Sequence, residues 1–435
     1  MNNIGQSLEE FSNKKILVIG DVMLDHYSYG KATKISPEAP VLILHKNNEF
    51  YVPGGAGNVA QNLAALGAKS VLCGVIGRDG RRNILLKTLG REKNIDTVGL
   101  LTVTSRSTVT KHRFVADNHQ LLRVDEEETT CLDNEVQKKL LSLVEKEIKK
   151  CDGVILSDYA KGVFSENFTR QVIRIAKSHR KIVVADIKPS SKDFFIGVDV
   201  LTPNWKEAKE MSGESELSRV GDSLVKFFNA NIVVTRGEEG VSVFTKEGTS
   251  KDFPTKKIKV FDVSGAGDTS VAVLALGLTS GLDINDSAYL ANYAGGLVVQ
   301  KPGTATISLE ELRSAVNYGN HIDEVAIVPK VWGYEKWIEN NDKYCSKIFF
   351  LKKGYQCSLH YHKIKDETFI VLKGNIRMEV GDEVLYMKEG NFCRITPGVL
   401  HRFRGLEDSE FLEVSSHHSE DDSYRLEESR RVEAE

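Results

Sequence analysis

Long apolar runs are missing from this sequence. No stretch approaches the roughly 20 apolar residues that a membrane-spanning helix needs, and the first 15 residues contain acidic side chains and no apolar core of the kind found in signal peptides. Cysteine is also scarce, because the six residues are scattered and none forms a C-x-x-C pair. We therefore expect a cytoplasmic protein without a membrane partner, a disulfide framework or a cysteine-rich zinc site.

An excess of charge of one sign is missing as well. The 58 Lys and Arg residues nearly balance the 61 Asp and Glu residues, and the formal net charge is −3. Such a chain has no strong overall field to hold nucleic acid, so we expect no nucleic-acid partner, although a local basic pocket is compatible with this balance. The length of 435 residues and the 41% of hydrophobic residues suit two or three globular domains.

Apolar runs and helical patterns alternate through the first three-quarters of the chain. The runs are rich in β-branched residues and read as strands buried on both faces of a parallel sheet, so residues 1–318 predict a doubly wound α/β domain. In such sheets ligands bind at the carboxyl ends of the strands. Polar residues stand at four of these ends: Asp21, Asp158, Asp186 and Asn204.

Two stretches, 25–52 and 100–125, break this alternation with short polar-alternating strands and no helices. We expect them to form a small additional sheet that acts as a lid or as the surface of a homodimer. After residue 318 the pattern changes to short strands separated by glycine-containing turns, which is typical of an all-β barrel. We assign residues 319–330 to a linker, 331–418 to this barrel and 419–435 to a charged tail.

The segment DVSGAGD at 262–268 carries the strongest chemical signal. Gly265, Ala266 and Gly267 precede an apolar helix, where backbone N–H groups and the helix dipole favour an anion. Asp268 at the helix start is suited to accept a proton from an attacking hydroxyl beside a transferring phosphoryl group. A glycine turn with an aspartate cap is the simpler alternative for this segment on its own.

Two other segments belong to the same hypothesis. The glycine-rich helix entry at 53–58 would bring Gly54, Gly55 and Asn58 close to a polyhydroxylated substrate, although a plain helix entry explains it too. Asn204 and Glu207 form N-x-x-E after a strand and could organise Mg²⁺. A helix cap explains that pair equally well.

These motifs in this order resemble the ribokinase family of sugar kinases over roughly residues 10–318. Within that family, the segments at 34–41, 110–127, 157–163 and 201–208 are similar to those of the heptose 7-phosphate kinases. The resemblance implies an ATP- and Mg²⁺-dependent transfer of the γ-phosphate to the anomeric hydroxyl of D-glycero-β-D-manno-heptose 7-phosphate, with Asp268 as the base. It also implies a place in the pathway to an activated heptose for a surface glycan.

The resemblance assigns further residues. It implies that the nucleotide lies against Asn204, Glu207, Thr235, Gly237, Glu239, Asn292 and Gly295, and that Asp21 binds sugar hydroxyls beside Gly54, Gly55 and Asn58. For the phosphate of the substrate the candidates are Arg113, Arg123, Lys161 and Lys188, each of which could instead be a solvated surface charge. Two departures from the family pattern are Ser264 in place of Thr and Ile187 in place of Pro, and the second leaves the position of Lys188 less certain.

A second constellation lies in the C-terminal part. His360, His362 and Glu367 follow the spacing G-x5-H-x-H-x4-E-x6-G from Gly354 to Gly374, and His401 follows downstream. Residues two apart share one face of a strand, so these side chains could hold Zn, Mn, Fe or Ni. Surface histidines on a sheet are the simpler alternative.

The C-terminal segment resembles the cupin superfamily over 330–416, and most closely the small cupins of the mannose-6-phosphate isomerase type. Two functions stay open for it: a metal-dependent isomerase or epimerase of a sugar phosphate, or a sugar-binding module without turnover. The chain also lacks an H-x-G-H motif. We therefore do not expect it to transfer a nucleotide onto the heptose.

Overall fold

The computed structural model describes residues 2–116, 119–255, 260–301, 303–318 and 326–432. The chain divides into two compact units, 1–320 and 321–435, each of which is described by itself. None of the described helices is long and apolar enough to cross a membrane.

The first unit is built on a mixed sheet that has nine strands in the described part of the chain. The strands are β1 Lys15–Gly20, β4 Lys69–Gly77, β5 Ile95–Val103, β8 Gly153–Ser157, β9 Ile182–Asp186, β10 Val200–Leu201, β11 Asn231–Thr235, β12 Val241–Phe244 and β13 Ser250–Phe253. Seven neighbouring strands run parallel, in the order β11-β10-β9-β8-β1-β4-β5. Beyond β11 the sheet continues with β12 and then β13, each antiparallel to the strand before it.

Helices cover both faces of this sheet. In β1, Ile16 and Val18 pack into one hydrophobic cluster while Leu17 and Ile19 pack into the other, which is why the strand reads as a continuous apolar run. The first cluster includes α1 Asn2–Glu10, α2 Ala56–Ala65, α3 Gly80–Leu89, α8 Ala266–Thr279, α9 Ile284–Val298 and α10 Leu309–Tyr318. The second includes α4 Asn134–Ile148, α5 Glu166–Ser178, α6 Trp205–Ser212 and α7 Leu217–Phe228.

A separate sheet forms the expected lid. Its strands are β2 Val22–Ile35, β3 Leu42–Gly55, β6 Thr110–Ala116 and β7 His119–Glu126, in the order β3-β2-β6-β7. The sequence places residues 100–103 in this lid, but they end β5 of the central sheet, pairing with β4 from Gly74 onward. The boundary was placed wrongly because β5 is the edge strand of the described sheet. An edge strand is partly exposed, so its sequence alternates between apolar and polar residues.

The second unit is a β-barrel of two facing sheets, as the sequence predicts. The strands are β14 Ala326–Lys330, β15 Gly333–Asn340, β16 Cys345–Leu351, β17 Tyr355–Gln356, β18 Leu359–Tyr361, β19 Glu367–Lys373, β20 Asn375–Val380, β21 Glu383–Lys388, β22 Phe392–Ile395, β23 His401–Gly405, β24 Ser409–Ser415, β25 Tyr424–Glu427 and β26 Arg430–Arg431. One sheet has the order β14-β15-β16-β24-β19-β22. The other has the order β21-β20-β23-β17-β26, and β18 pairs with both β23 and β25.

The structure differs from the sequence reading at both ends of the barrel. Of the expected linker, 319–325 lie outside the described residues, and 326–330 form the edge strand β14 because their backbone pairs with β15. The expected charged tail also contains structure, since β25 and β26 pair with β18 and β17. Its last three residues, 433–435, lie outside the described part.

Candidate functional site

Asp268 lies in the first turn of α8 and is almost completely buried. Its Oδ2 accepts a hydrogen bond from Nδ2 of Asn58 at 2.7 Å, and its Oδ1 accepts one from the hydroxyl of Tyr159 at 2.8 Å. Burial raises the pKa of Asp268 to about 6, while these two donors oppose the rise. The result is a carboxyl group that ionises close to neutral pH, as a general base requires.

The two glycine-rich helix entries meet at this carboxylate. Gly265, the N-cap of α8, has a φ of +83°, and a Cβ there would lie 2.8 Å from Nδ2 of Asn58. Asn58 is tied in turn to Asn62, whose Oδ1 accepts a bond from the Thr269 hydroxyl at 2.7 Å. The start of α8 offers backbone N–H groups without partners inside the helix, although that of Ala266 donates to the carbonyl of Val263 at 3.3 Å.

Carboxylates gather beside Asp268 at the ends of the strands. Asp186 ends β9, and its Oδ2 would lie 3.9 Å from a Cβ on Gly267. Burial raises the pKa of Asp186 to about 8; Lys188 opposes the rise, and Glu207 and Asp268 add to it. A group of like charges with oxygen ligands in one cleft is suited to a hard cation such as Mg²⁺.

Lys188 lies within this group. Its Nζ is 2.6 Å from Oε1 of Glu207 and 5.3 Å from the centre of the Tyr159 ring. The helix-cap interpretation of N-x-x-E is also confirmed. Oδ1 of Asn204 accepts a hydrogen bond from the backbone N–H of Glu207 at 2.9 Å, and Oε2 of Glu207 accepts one from the backbone N–H of Asn204 at 3.1 Å. Glu207 therefore fixes the start of α6 and the lysine at the same time.

The remaining residues expected at the nucleotide lie at the end of β11, in the turn that follows it, and in the second half of α9. Thr235 ends β11 and pairs with Asn204 through an isolated bridge. Gly237 has a φ of +62° in a short 3-10 turn, where Glu239 binds Arg236 at 2.7 Å. Further along the chain, the Asn292 amide group donates to the carbonyls of Phe253 and Pro254 and accepts from Thr255, and Gly295 lies against Ser270.

Asp21 holds a loop. Its carboxylate accepts hydrogen bonds from the backbone N–H groups of Tyr159, Lys161 and Val163 at 2.8, 3.0 and 3.3 Å. Burial raises the pKa of Asp21 to about 6, and Asp158 contributes to the rise. Gly55, with a φ of +56°, leaves space for the backbone oxygen of Asp21, which a Cβ would approach to 2.4 Å. Asp21 thus anchors the loop that carries Tyr159, and Gly55 leaves room for the backbone of Asp21. The sugar-binding roles expected of both residues stay predictions.

A buried acidic residue of β2, Asp25, was missed in the sequence. It is 5% exposed, forms an ion pair with Arg113, and would lie 2.4 Å from a Cβ on Gly54. Gly54 is therefore required for Asp25 to occupy this place. The sequence offered little signal, because Asp25 opens the polar-alternating stretch at 25–52, in which a buried charge does not stand out.

Three of the expected phosphate-binding cations lie on or beside the lid. Arg113 faces Arg123 across β6 and β7, and Arg123 pairs with Asp125 at 2.9 Å, while Lys161 pairs with Glu127 at 2.7 Å. Lys188 is the exception, because it belongs to the carboxylate group described above. Lys111 was missed: it is 5.7 Å from the Tyr159 ring centre, and burial lowers its pKa.

The second unit brings His360, His362 and His401 together, with one ring nitrogen from each within 4.8 Å of the others. Each Nδ1 faces a backbone carbonyl, of Ser358 at 2.9 Å, Asp422 at 2.8 Å and Val399 at 2.9 Å respectively. These contacts fix the tautomer that leaves every Nε2 lone pair for a metal ion.

Glu367 completes the set. Its Oε1 lies 2.8 Å from Nε2 of His401 and 3.7 Å from Nε2 of His362. Within the described residues, neither Oε1 of Glu367 nor Nε2 of His401 makes a hydrogen bond of acceptable geometry. Its Oε2 is held by Lys365 at 2.7 Å. Burial lowers the pKa of His360 to about 3, and His401, Lys365 and His362 overcome burial to lower the pKa of Glu367. Neutral imidazoles and an ionised carboxylate, with ligand atoms that have no hydrogen-bond partner in the described structure, fit a divalent metal ion.

A family model described as "pfkB family carbohydrate kinase" matches residues 13–312. The chain therefore belongs to the pfkB carbohydrate kinases. This confirms the expected sugar kinase and its ribokinase-like α/β fold.

Relatives of this pfkB kinase are similar over most of the chain. "Bifunctional protein HldE" of Helicobacter pylori (strain HPAG1) is 36% identical over 395 residues, which cover 85% of this chain and 83% of the relative. The protein of the same name from Geobacter metallireducens is 38% identical over 355 residues, covering 80% and 72%.

Solved structures agree on the fold. A ribokinase of Arabidopsis thaliana, complexed with ribose and ATP, superposes with a TM-score of 0.56 at 17% identity over 69% of this chain and 98% of that one. Phosphofructokinase-2 of Escherichia coli, with substrates and products, gives 0.59 at 16% over 70% and 99%.

A second family model, "Cupin domain", matches residues 347–415 of this pfkB kinase. The expected cupin is thereby confirmed, while the mannose-6-phosphate isomerase type remains a prediction. Tyr159, Asp25, Lys111 and Asp422 are the site residues that sequence reasoning missed, the last because it lies in the segment taken for a tail.

Proposed function

We propose that this kinase transfers the γ-phosphate of ATP to the C1 hydroxyl of D-glycero-β-D-manno-heptose 7-phosphate, giving the 1,7-bisphosphate. The observation that carries the proposal is the buried carboxylate of Asp268 between Asn58 and Tyr159 at the start of α8. The resemblance of residues 34–41 and 110–127 to heptose 7-phosphate kinases and the similarity to the two HldE proteins support this substrate.

The chemistry follows from the arrangement of the cleft. Asp268 takes the proton of the sugar hydroxyl as its oxygen attacks the γ-phosphorus, and the bond to the β-phosphate oxygen breaks to release ADP. Backbone N–H groups at the start of α8 stabilise charge on the transferring group. Asp186 and Glu207 would hold Mg²⁺, directly or through water, and the ion would supply positive charge against the phosphates of ATP.

The phosphate that the substrate already carries needs cations on the lid side of the cleft. We assign this role to Lys111, Arg113 and Lys161. Lys111 lies near the Tyr159 ring, Arg113 pairs with the Asp25 carboxylate, and Lys161 lies in the loop that Asp21 holds. A guanidinium binds phosphate with two parallel hydrogen bonds, whereas an ammonium acts as a point charge. The ion pairs with Asp25 and Glu127 would then open when the sugar phosphate binds.

The test is a panel of free and phosphorylated sugars with Mg·ATP, reading the position that becomes phosphorylated. Asp268→Asn should lower the rate by roughly 10²–10⁴-fold, because it removes the general base. Asp283→Asn is the matched control, since Asp283 caps α9 and asparagine caps equally well. An unchanged rate in Asp268→Asn would refute the role of this residue.

We propose a second function for the cupin unit: a metal-dependent isomerase of a sugar phosphate, feeding the kinase by converting sedoheptulose 7-phosphate to the aldose. The three imidazoles have fixed tautomers with Nε2 available, and Oε1 of Glu367 makes no hydrogen bond in the described structure. These four ligand atoms favour a metal ion that keeps open coordination positions for a substrate. A sugar-sensing module without turnover is the alternative.

Metal analysis of the purified chain and an assay with sedoheptulose 7-phosphate separate these alternatives. Wild-type protein should contain about one transition metal ion per chain and form the aldose, and His360→Ala should lose both. Metal-loaded protein that forms no aldose would exclude the isomerase function for this substrate and leave the sensing function.

A further inference from the structure

The barrel of the second unit encloses a cavity of about 370 Å³ beside the proposed metal site. His360, His362 and Glu367 line one part of it. The same cavity is also lined by side chains that are not among the proposed metal ligands, including Lys347 and Glu413. A volume of this size is at the lower end of small-molecule sites and suits a compact metabolite.

Lys347 is the unusual group in this cavity. It lies on β16, is 3% exposed, and stands opposite Trp337 and Glu413 on the two neighbouring strands. Its Nζ is 3.7 Å from the centre of the Trp337 ring, but within the described residues it makes no hydrogen bond or ion pair. Lys365, the other buried lysine, is held by Glu367 at 2.7 Å and by Glu413 at 2.5 Å.

The carboxylates that face Lys347 are engaged elsewhere. Glu335 accepts the indole N–H of Trp337 at 3.0 Å and pairs with Lys330 at 3.3 Å. Glu413 holds Lys365 and also accepts from the Ser415 hydroxyl at 2.8 Å. Within the described residues, the ammonium group of Lys347 therefore lies against an aromatic ring without an oxygen acceptor, in a side chain that is almost completely buried. This is costly unless a ligand supplies an acceptor. Burial accordingly lowers the pKa of Lys347.

The buried charges of the cavity also favour an anion once a metal is bound. The charged side chains that line it and are at least nine-tenths buried are three carboxylates and two ammonium groups: Glu335, Glu367, Glu413, Lys347 and Lys365. The formal charges of these five side chains sum to −1, and a bound divalent cation with neutral histidines raises that sum to +1. A low-dielectric site with a net positive charge attracts a negatively charged ligand.

We propose that the cupin cavity binds a small metabolite through its oxyanion, phosphate or carboxylate, with the oxyanion held by Lys347. The inference rests on the proposed metal site for the second charge that attracts the ligand. It goes beyond that site because it assigns the chemical class of the ligand and a residue that recognises it.

The experiment uses the full-length protein loaded with Co²⁺, whose visible absorption bands report the metal environment. Inorganic phosphate and acetate are titrated separately, and binding is followed by calorimetry as well as by the cobalt spectrum. Wild type should bind at least one of the two with saturation, and the anion that binds identifies the preferred oxyanion. Binding of neither to the cobalt-loaded protein would overturn the proposal.

Lys347→Met should weaken anion binding roughly 10–100-fold, which is the contribution of a charged hydrogen bond, and leave the cobalt content unchanged. Lys347→Arg, which keeps the charge, should recover part of the affinity. Lys336→Met is the matched control, because Lys336 lies on β15 outside the cavity, near Tyr334. Equal affinity in wild type and Lys347→Met would contradict the assignment.

Two results separate this inference from the metal site on which it rests. If no cobalt bands form, the metal site fails, and calorimetry with the metal-free wild type and Lys347→Met still decides whether Lys347 binds the anion. If Lys347→Met does not fold, Lys347→Gln replaces it with the same expected loss. Cobalt binding without any anion effect would leave the metal site intact and refute the role of Lys347.

Discussion

At Asp268 two opposing effects set the reactivity of the carboxyl group. Burial disfavours its ionised form, and the amide of Asn58 and the hydroxyl of Tyr159 favour that form by donating to it. Tyr159 is itself fixed by its backbone bond to Asp21 and lies between the ammonium groups of Lys111 and Lys188. We regard Tyr159 as a positioning residue that tunes the base.

The pH dependence of kcat/KM tests this balance. Because a base must be ionised, the rate should fall as the pH drops through a value near 6. Tyr159→Phe removes one donor, so the pKa of Asp268 should rise and the acid limb should move to higher pH by about one unit. Tyr289→Phe, which removes a hydroxyl that is bonded only to Tyr293 in the described structure, should leave the limb in place. A limb that does not move in Tyr159→Phe would contradict the tuning role.

Among the elements, α8 depends on the glycine at its start. Gly265 combines a left-handed φ with close contact to Asn58, so an added Cβ would both strain the backbone and displace a partner of the base. Gly281, just beyond the end of the same helix, has a φ of +91° but open space around it. Substituting each glycine in turn therefore separates the effect of backbone strain, which both share, from the effect of the contact with Asn58, which only Gly265 makes.

Gly265→Ala and Gly281→Ala should therefore differ in a defined way. Both should lower the free energy of unfolding by about 1–2 kcal/mol, the cost of a left-handed alanine. Gly265→Ala alone should also lower kcat, because Asn58 has to move. Chemical denaturation and steady-state kinetics measure the two effects, and equal kcat values in the two variants would show that the Asn58 contact does not matter.

The sequence predicted elements best where one local signal was enough. The apolar run at 14–24 contains β1, and the glycine-rich segments at 53–58 and 262–268 contain the starts of α2 and α8. The spacing of His360, His362, Glu367 and His401 likewise predicted a cluster, which the structure assembles from β18 with the residue after it and from the first residues of β19 and β23. Local signals of this kind depend only on neighbours in the chain.

Other parts required contacts between distant residues. The role of Asp21 depends on the amides of residues 159–163, about 140 positions away, and Tyr159 reaches Asp268 across 109 positions. Asp422 supports His362 from the segment that charge density marked as a tail. Composition and periodicity carry no information about such pairings, so these residues could be identified only from the folded chain.

At the scale of the whole molecule, the two units have separate hydrophobic cores. Removing the metal ligand in His360→Ala should lower the unfolding temperature of the cupin unit and leave the kinase rate within about twofold. The expected destabilisation is about 2.7 kcal/mol for a metal present at 100 times its dissociation constant. Differential scanning calorimetry and the kinase assay measure these quantities, and a large loss of kinase rate would show that the units are coupled.

The lid bears on the oligomeric state. Several of its apolar side chains are more than half exposed, among them Ile35, Leu42 and Leu122. Exposed apolar side chains on one sheet are a common feature of interfaces, which supports the homodimer expected from the sequence. Leu122→Lys should then shift the mass measured by light scattering from dimer to monomer at micromolar concentration. A wild type that is monomeric in the same measurement would contradict this expectation.

The bonds from Asp21 to the backbone of residues 159–163 have a consequence for engineering. A chimera that imports this loop from a kinase with a different sugar preference would also have to import the end of β1 that anchors it. Substrate range in this enzyme should therefore change by exchange of paired segments, and single-loop grafts should yield folded but inactive proteins.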